Sequence, residues 1–203
     1  MKVTRGYAGG ERRPCPVVTI GNFDGHHLGH RTLLDRVVQS ARRLQGSAMV
    51  LTFDPHPVKI LAPHVDLKFL TSPEEKLQRF EAAGIDEVVF LEFTPSFAAF
   101  PPEVFAREVL YRGLRVRQIF VGQHFAFGKG RTGTVATLTS LGQQFGFSVD
   151  PVEPVLAEGG AGRPLARPPV HAERPGCPRC ATGAGVGLAD GQSESVLRAR
   201  AAS

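Results

Sequence analysis

Short apolar runs alternate with stretches whose apolar residues recur at helical spacing along the first three-quarters of this chain. Val17–Ile20 is a β-branched run that predicts a strand. Arg31–Leu44 carries Leu33, Leu34, Val37, Val38, Ala41 and Leu44 on one face, which predicts an amphipathic helix closed by Gly46. Ala48–Phe53 predicts a second strand. It is ended by Asp54-Pro55-His56-Pro57, because proline cannot donate to a central ladder. Ser72-Pro73-Glu74-Glu75 predicts a helix start: Ser72 can cap, Pro73 suits the first helical position and Glu75 completes a capping box. That helix runs to about Ala83, and Gly84 ends it. Val88–Phe93 predicts a third strand, Pro102–Leu110 a helix before Gly113, and Gln118–Val121 a fourth strand. Val135–Phe145 predicts a helix ended by Gly146, and Phe147–Val149 a fifth strand.

Short strands separated by amphipathic helices predict an α/β fold, a Rossmann-like parallel sheet with helices on both faces. Ligands of such folds sit beyond the carboxyl ends of the strands. The loops Gly21–His30, Asp54–Pro57 and Gly122–Gly133 all follow predicted strands, so they are expected along one edge, at a single site.

The composition changes after about Ala157. From there to Ser203 Ala, Gly, Pro and Arg dominate, and Phe, Tyr, Ile, Met and Lys are missing. Such a segment buries too little apolar area to offset its ordering entropy. The expected organisation is one domain over 1–156 and a disordered tail over 157–203, with a short frayed helix near Glu194–Ala202. In the tail, Cys177-Pro178-Arg179-Cys180 has the spacing of half a zinc site with His171 nearby, but one such pair is a weak signal. No protein metal-ligand set is assigned.

The formal charge of +5 suits phosphate-bearing ligands. Its basic residues are scattered rather than clustered with aromatics, which argues against a nucleic-acid module. No stretch reaches the length of a membrane span, and Met1–Arg13 has no apolar signal core. With an odd number of cysteines, three, and no secreted disulfide framework, the expected location is the cytoplasm.

The candidate chemistry sits in Gly21-Asn22-Phe23-Asp24-Gly25-His26-His27-Leu28-Gly29-His30, a strand exit, a glycine-rich turn and a helix start. A helix start offers unpaired N–H groups and the positive end of the dipole, and so attracts phosphate. His27 and His30 are three apart and share a helix face, where both imidazoles can donate to phosphate oxygens. Gly29 between them lets a phosphate approach the backbone.

His-x-Gly-His after such a turn resembles the signature of the nucleotidylyltransferase superfamily. Gly-Asn-Phe-Asp-Gly-x-His-x-Gly-His is similar to the narrower form in bacterial FAD synthetases, the adenylyltransferase half of bifunctional riboflavin kinase/FAD synthetase. The opening Met1–Gly6, the loop Leu51–Pro57, the segment Phe69–Lys76 and the loop Val121–Gly133 resemble the same family, in order, over roughly Met1 to Leu156. The resemblance implies the reaction ATP + FMN → FAD + diphosphate, with FMN as substrate and Mg²⁺ entering with ATP. It implies catalytic roles for His27 and His30. His26, usually apolar in the family, reads as a tolerated variant. The ATP side would comprise Gly21, Phe23, Asp24, Gly25, Gly29, His124, Lys129 and Arg131. Phe23 would pin the loop, and Asp24 would either orient it through backbone N–H groups or touch ligand. The FMN side would comprise Asp54, Pro55, His56, Pro57, Phe125, Phe127 and Gly128, with core packing the competing role of the two phenylalanines.

Two departures stand out. His124 occupies a position that is commonly Asn or Asp, and imidazole is a poorer ligand for Mg²⁺. After Pro154-Val155-Leu156 the family's phosphate-binding Ser-Ser-Thr-x-Ile-Arg motif is missing; Ala157-Glu158-Gly159 stands there instead, and the riboflavin kinase domain is expected to be absent. The compositional shift resembles out-of-frame translation of GC-rich DNA, with a frame change near Glu158–Ala161. Two further readings stay open: an inactive nucleotide- or flavin-binding remnant, and a nucleotidylyltransferase acting on another phosphate ester.

Overall fold

Continuous apolar runs with no polar alternation become strands buried on both faces, and Val17–Ile20 and the start of Ala48–Asp54 are such runs. In the computed structural model, which describes residues 1–7, 13–25, 28–65 and 71–153, they form neighbouring strands at the middle of a sheet. The sheet has six strands: β1 (Lys2–Arg5), β2 (Val17–Ile20), β3 (Ala48–Asp54), β4 (Glu87–Glu92), β5 (Gln118–Gly122) and β6 (Ser148–Val152). Their order is β1-β4-β3-β2-β5-β6, and every pairing is parallel. Successive residues of the central strands therefore serve two cores. Val18, Ile20, Met49, Leu51, Val89, Leu91, Ile119 and Val121 pack on one face, against Phe105, Val109, Leu110, Leu138 and Leu141. Val17, Ala48, Val50, Val88 and Phe120 pack on the other, against Leu33, Leu34, Val37, Ala41 and Phe80.

The helices are α1 (Leu28–Arg43), α2 (Pro57–Leu61), α3 (Pro73–Ala82), α4 (Pro95–Ala98), α5 (Pro102–Val104) and α6 (Val135–Phe145). The capping box that opens α3 is formed: Glu75 N–H donates to Ser72 Oγ at 3.1 Å, and Ser72 N–H donates to Glu75 Oε2 at 3.0 Å. Ser72→Ala is expected to cost about 1 kcal/mol in denaturant unfolding, and Ser72→Asp to retain most of the stability.

The structure departs from the sequence expectation in several places. A sixth strand, β1, arises from the polar N-terminal segment because Lys2–Arg5 pairs with Glu87–Phe90, over eighty residues away, which no local pattern can show. The helix expected at Pro102–Leu110 begins as α5 and continues to Gly113 as a π-helix, Phe105–Gly113. Leu114 N–H then donates to Val109 C=O at 2.9 Å. This winding buries Phe105, Ala106, Val109 and Leu110 together and brings Gly113 against Tyr7, where a Cβ would lie 2.7 Å from the ring. Gln45, not Gly46, takes the left-handed conformation after α1 (φ 49°). Gly46 is required for a different reason: a Cβ there would lie 2.2 Å from Cys15 C=O. The short helices α2 and α4 were not expected.

The described residues all lie within one compact unit, Met1–Leu165. The expected tail and its Cys177–Cys180 pair lie outside the described residues.

Candidate active site

A parallel sheet sends every strand toward the same edge, so the loops after β2, β3 and β5 all open along it. The loop after β2 leaves the centre of the sheet, between β3 and β5, and Gly21 N–H still donates to Leu51 C=O at 3.1 Å. Phe23 then takes a left-handed backbone conformation (φ 48°), which is costly for a residue with a Cβ. Burial of its ring offsets that cost: it is 6% exposed, meets Phe80 of α3 edge-on at 5.3 Å and lies 5.1 Å from the ring of His30. Gly21 permits the fold-back, since a Cβ there would lie 3.1 Å from the Phe23 ring. Gly25 completes the turn with φ 79°.

Helix α1 opens at Leu28, so Gly29 and the half-buried His30 stand in its first turn, where free N–H groups and the dipole favour anions. Around the Cβ position of Gly29 the structure has open space. Asp24 Oδ1 accepts from Thr71 N–H at 3.2 Å and from Thr71 Oγ1 at 3.0 Å. Thr71 Oγ1 also accepts from Gly25 N–H at 3.4 Å. Lys76 Nζ donates to Asn22 C=O at 3.2 Å. The histidine loop is thereby tied to the N-terminal half of α3. His26 and His27 lie outside the described residues.

The second loop begins inside β3: Asp54 is its last residue, paired with Glu92, and the Asp54–Pro55 peptide is cis. Asp54 Oδ2 accepts from Arg5 Nη1 at 3.0 Å, an exposed pair. His56 Nδ1 accepts from Val58 N–H at 3.3 Å and caps α2, with Pro57 in first position. Burial pushes the His56 pKa down, and the ammonium groups of Lys76 and Lys59 push it further, partly opposed by Asp24. The imidazole is therefore neutral at pH 7, with its proton on Nε2. The loops after β2 and β3 leave neighbouring parallel strands.

The third loop follows β5. His124 is exposed. Phe125 is half-buried and stacks on Phe127, with centroids 5.6 Å apart and planes 15° apart. Phe127 is 7% exposed, lies 5.6 Å from Phe105 and pairs by backbone with Gly133, so it belongs to the core while Phe125 covers its outer side. Gly128 (φ 73°) packs against Pro102, where a Cβ would lie 2.8 Å from the ring. Lys129 and Arg131 stand exposed on a tight turn, Lys129–Arg131.

Arg5, Thr71 and Lys76 hold the site; they lie in the segments Met1–Gly6 and Phe69–Lys76 that carry the resemblance, but the sequence assigned them no role, because their partners are a carboxylate or a backbone carbonyl some fifty residues away. Among the described residues no group of three His, Cys, Asp or Glu is arranged to hold a metal ion. No helix among them is long and apolar enough to cross a membrane.

Comparison with known proteins shows the family of the chain. The profile of the family described as FAD synthetase matches residues 11–161. The bifunctional riboflavin kinase/FMN adenylyltransferase of Escherichia coli (strain K12) is 36% identical over 163 residues, covering 79% of this chain and 51% of that protein. The Haemophilus influenzae protein of the same description is 34% identical over 152 residues, covering 74% of this chain and 49% of that protein. The chain thus spans about half the length of these curated relatives. Among solved structures, one described as a macrolide-efflux protein from Streptococcus pneumoniae matches with a TM-score of 0.68 and 25% identity, covering 79% of this chain and 52% of that one.

Proposed function

The chain belongs to the FAD synthetase family, and from that premise we propose that it transfers the adenylyl group of ATP to FMN, forming FAD and diphosphate. The observation that carries the proposal is the seat of His30: it stands in the first turn of α1, braced by the Phe23 ring, at the edge along which the three strand-exit loops open.

The FMN phosphate attacks the α-phosphorus of ATP in line, and the bond to diphosphate breaks. No covalent nucleophile is needed; the work is positioning and charge stabilisation. His27 and His30 donate to the α- and β-phosphate oxygens, where charge accumulates. The N–H groups and dipole at the start of α1 add to their effect. Lys129 and Arg131 supply cations from the third loop. The Asp54–Pro57 loop and the Phe125 face receive the flavin, a flat ring suited to stacking. Mg²⁺ enters with ATP, and the reaction is placed in the cytoplasm, where ATP and FMN are at hand.

The purified chain, given ATP, Mg²⁺ and FMN, is expected to produce FAD and diphosphate in equal amounts, read by chromatography and a coupled phosphate assay. Diphosphate release with another phosphate ester but not with FMN would reassign the acceptor. The sequence after Leu156 favours a second reading, binding without turnover, because the phosphate-gripping Ser-Ser-Thr-x-Ile-Arg motif is replaced by Ala157-Glu158-Gly159. Flavin or ATP binding by calorimetry with no diphosphate release would establish that reading instead.

A further inference from the structure

The histidine loop does not hold its own shape. Its backbone turns through a left-handed phenylalanine, and the groups that fix it come from α3 and the residues leading into it. Three contacts make the connection. Phe80 meets the Phe23 ring, which in turn meets His30. Thr71 binds the Asp24 carboxylate and the Gly25 N–H. Lys76 donates to the Asn22 carbonyl from a part-buried position. Only the last brings a positive charge to the loop.

We infer that Lys76 is a positioning residue for adenylyl transfer, holding the turn at Asn22 so that His30, in the first turn of α1, faces the phosphates of ATP. The inference rests on the reaction proposed above. A carbonyl at a strand exit has no ladder partner, and a charge-assisted bond to it is about twice as strong as a neutral one. The Asp24 carboxylate is held separately, by the N–H and hydroxyl of Thr71. The field of the ammonium reaches the neighbouring loop, where it helps keep His56 neutral; Asp24 and Lys59 are the other charges that His56 feels. One cation thus serves two of the three strand-exit loops.

The test compares Lys76→Met, Lys76→Gln and Lys76→Arg in the full chain by steady-state kinetics with ATP, Mg²⁺ and FMN, and by amide hydrogen exchange without ligand. Lys76→Met and Lys76→Gln are expected to lower kcat by about 10- to 100-fold while the KM for FMN changes little, because misplacement of His30 acts on the transition state. Lys76→Arg is expected to recover most of the rate. Exchange at Gly25 and Thr71, whose N–H groups lie in the tether, is expected to rise about tenfold in the methionine variant and not in the arginine one. Unchanged kcat in Lys76→Met, or loss of rate in Lys76→Arg equal to that in Lys76→Met, overturns the inference. If the unsubstituted chain makes no FAD, the proposed reaction fails, and the exchange comparison alone decides the role of Lys76: unchanged protection at Gly25 and Thr71 rejects it.

Discussion

Replacing His30 or His27 with alanine is expected to lower kcat for FAD formation by about 10²–10³-fold, the loss seen when one preorganised donor to a developing charge is removed, about 2.7–4 kcal/mol. The effect should fall on kcat more than on KM, since the donors meet more charge in the transition state than in bound ATP. The double variant should lose less than the product of the two single losses, because both donors serve one charge. His30 carries an added structural role through the Phe23 ring, so His30→Ala should also lower the melting temperature slightly. His30→Asn, which keeps a donor of similar size, should recover part of the rate. Rates within a few-fold of the parent for both alanine variants would remove the histidines from the mechanism.

The largest effect on stability is expected at Arg13 and Glu87. Their side chains are 9% and 6% exposed, and the guanidinium is bidentate to the carboxylate: Nε to Oε2 at 2.5 Å and Nη2 to Oε1 at 2.6 Å. Thr4 Oγ1 donates to Oε1 as well, at 2.6 Å, so the carboxylate ties β4 to edge strand β1. Removing one partner leaves a buried charge uncompensated, so Arg13→Met and Glu87→Leu should each cost about 3–5 kcal/mol in denaturant unfolding. The paired replacement of both should be far less harmful than the sum of the two. Burial pushes the Glu87 carboxyl up, but the hydrogen bonds from Arg13 and Thr4, with the charges of Arg13 and Lys2, outweigh it and hold the group below its ordinary value of 4.5. A depressed carboxyl stabilises the fold above its unfolded pKa and loses that contribution as pH falls through the folded one. The parent protein should therefore lose stability on acidification below about pH 4.5 more steeply than Glu87→Gln. Parallel pH profiles would show that the pair contributes no such dependence.

Much of this architecture was legible from residues alone, for a physical reason. Val17–Ile20 and Ala48–Thr52 are buried on both faces, so their patterns are continuous rather than alternating. The helix expected over Val135–Phe145 matches α6 residue for residue: Gly146 ends it in a left-handed conformation, and the structure adds that Thr134 caps its start. The convergence of three strand-exit loops followed from parallel topology once the strands were placed. What escaped notice is non-local. Edge strand β1 forms by pairing with the distant Glu87–Phe90, and Lys76 owes its significance to a carbonyl in a different loop. The π-helical winding of Phe105–Gly113 satisfies packing on both Tyr7 and the core, and a 3.6-residue period does not encode it. The candidate site was readable as a motif, but what braces it was not.

The sheet contains no hairpin: each strand finds its neighbour only after a crossover, and Lys2 must wait for Glu87. On the ribosome, the first strand emerges long before its template exists. The nascent chain must first pair β2 with β3, then extend outward in both directions, with β1 among the late arrivals and β6 closing the opposite margin. Until β4 and then β5 are synthesised, the β3 and β2 borders of the growing sheet lack their neighbours, so the nascent chain carries an open border to which rival chains can add until Gly122 has emerged.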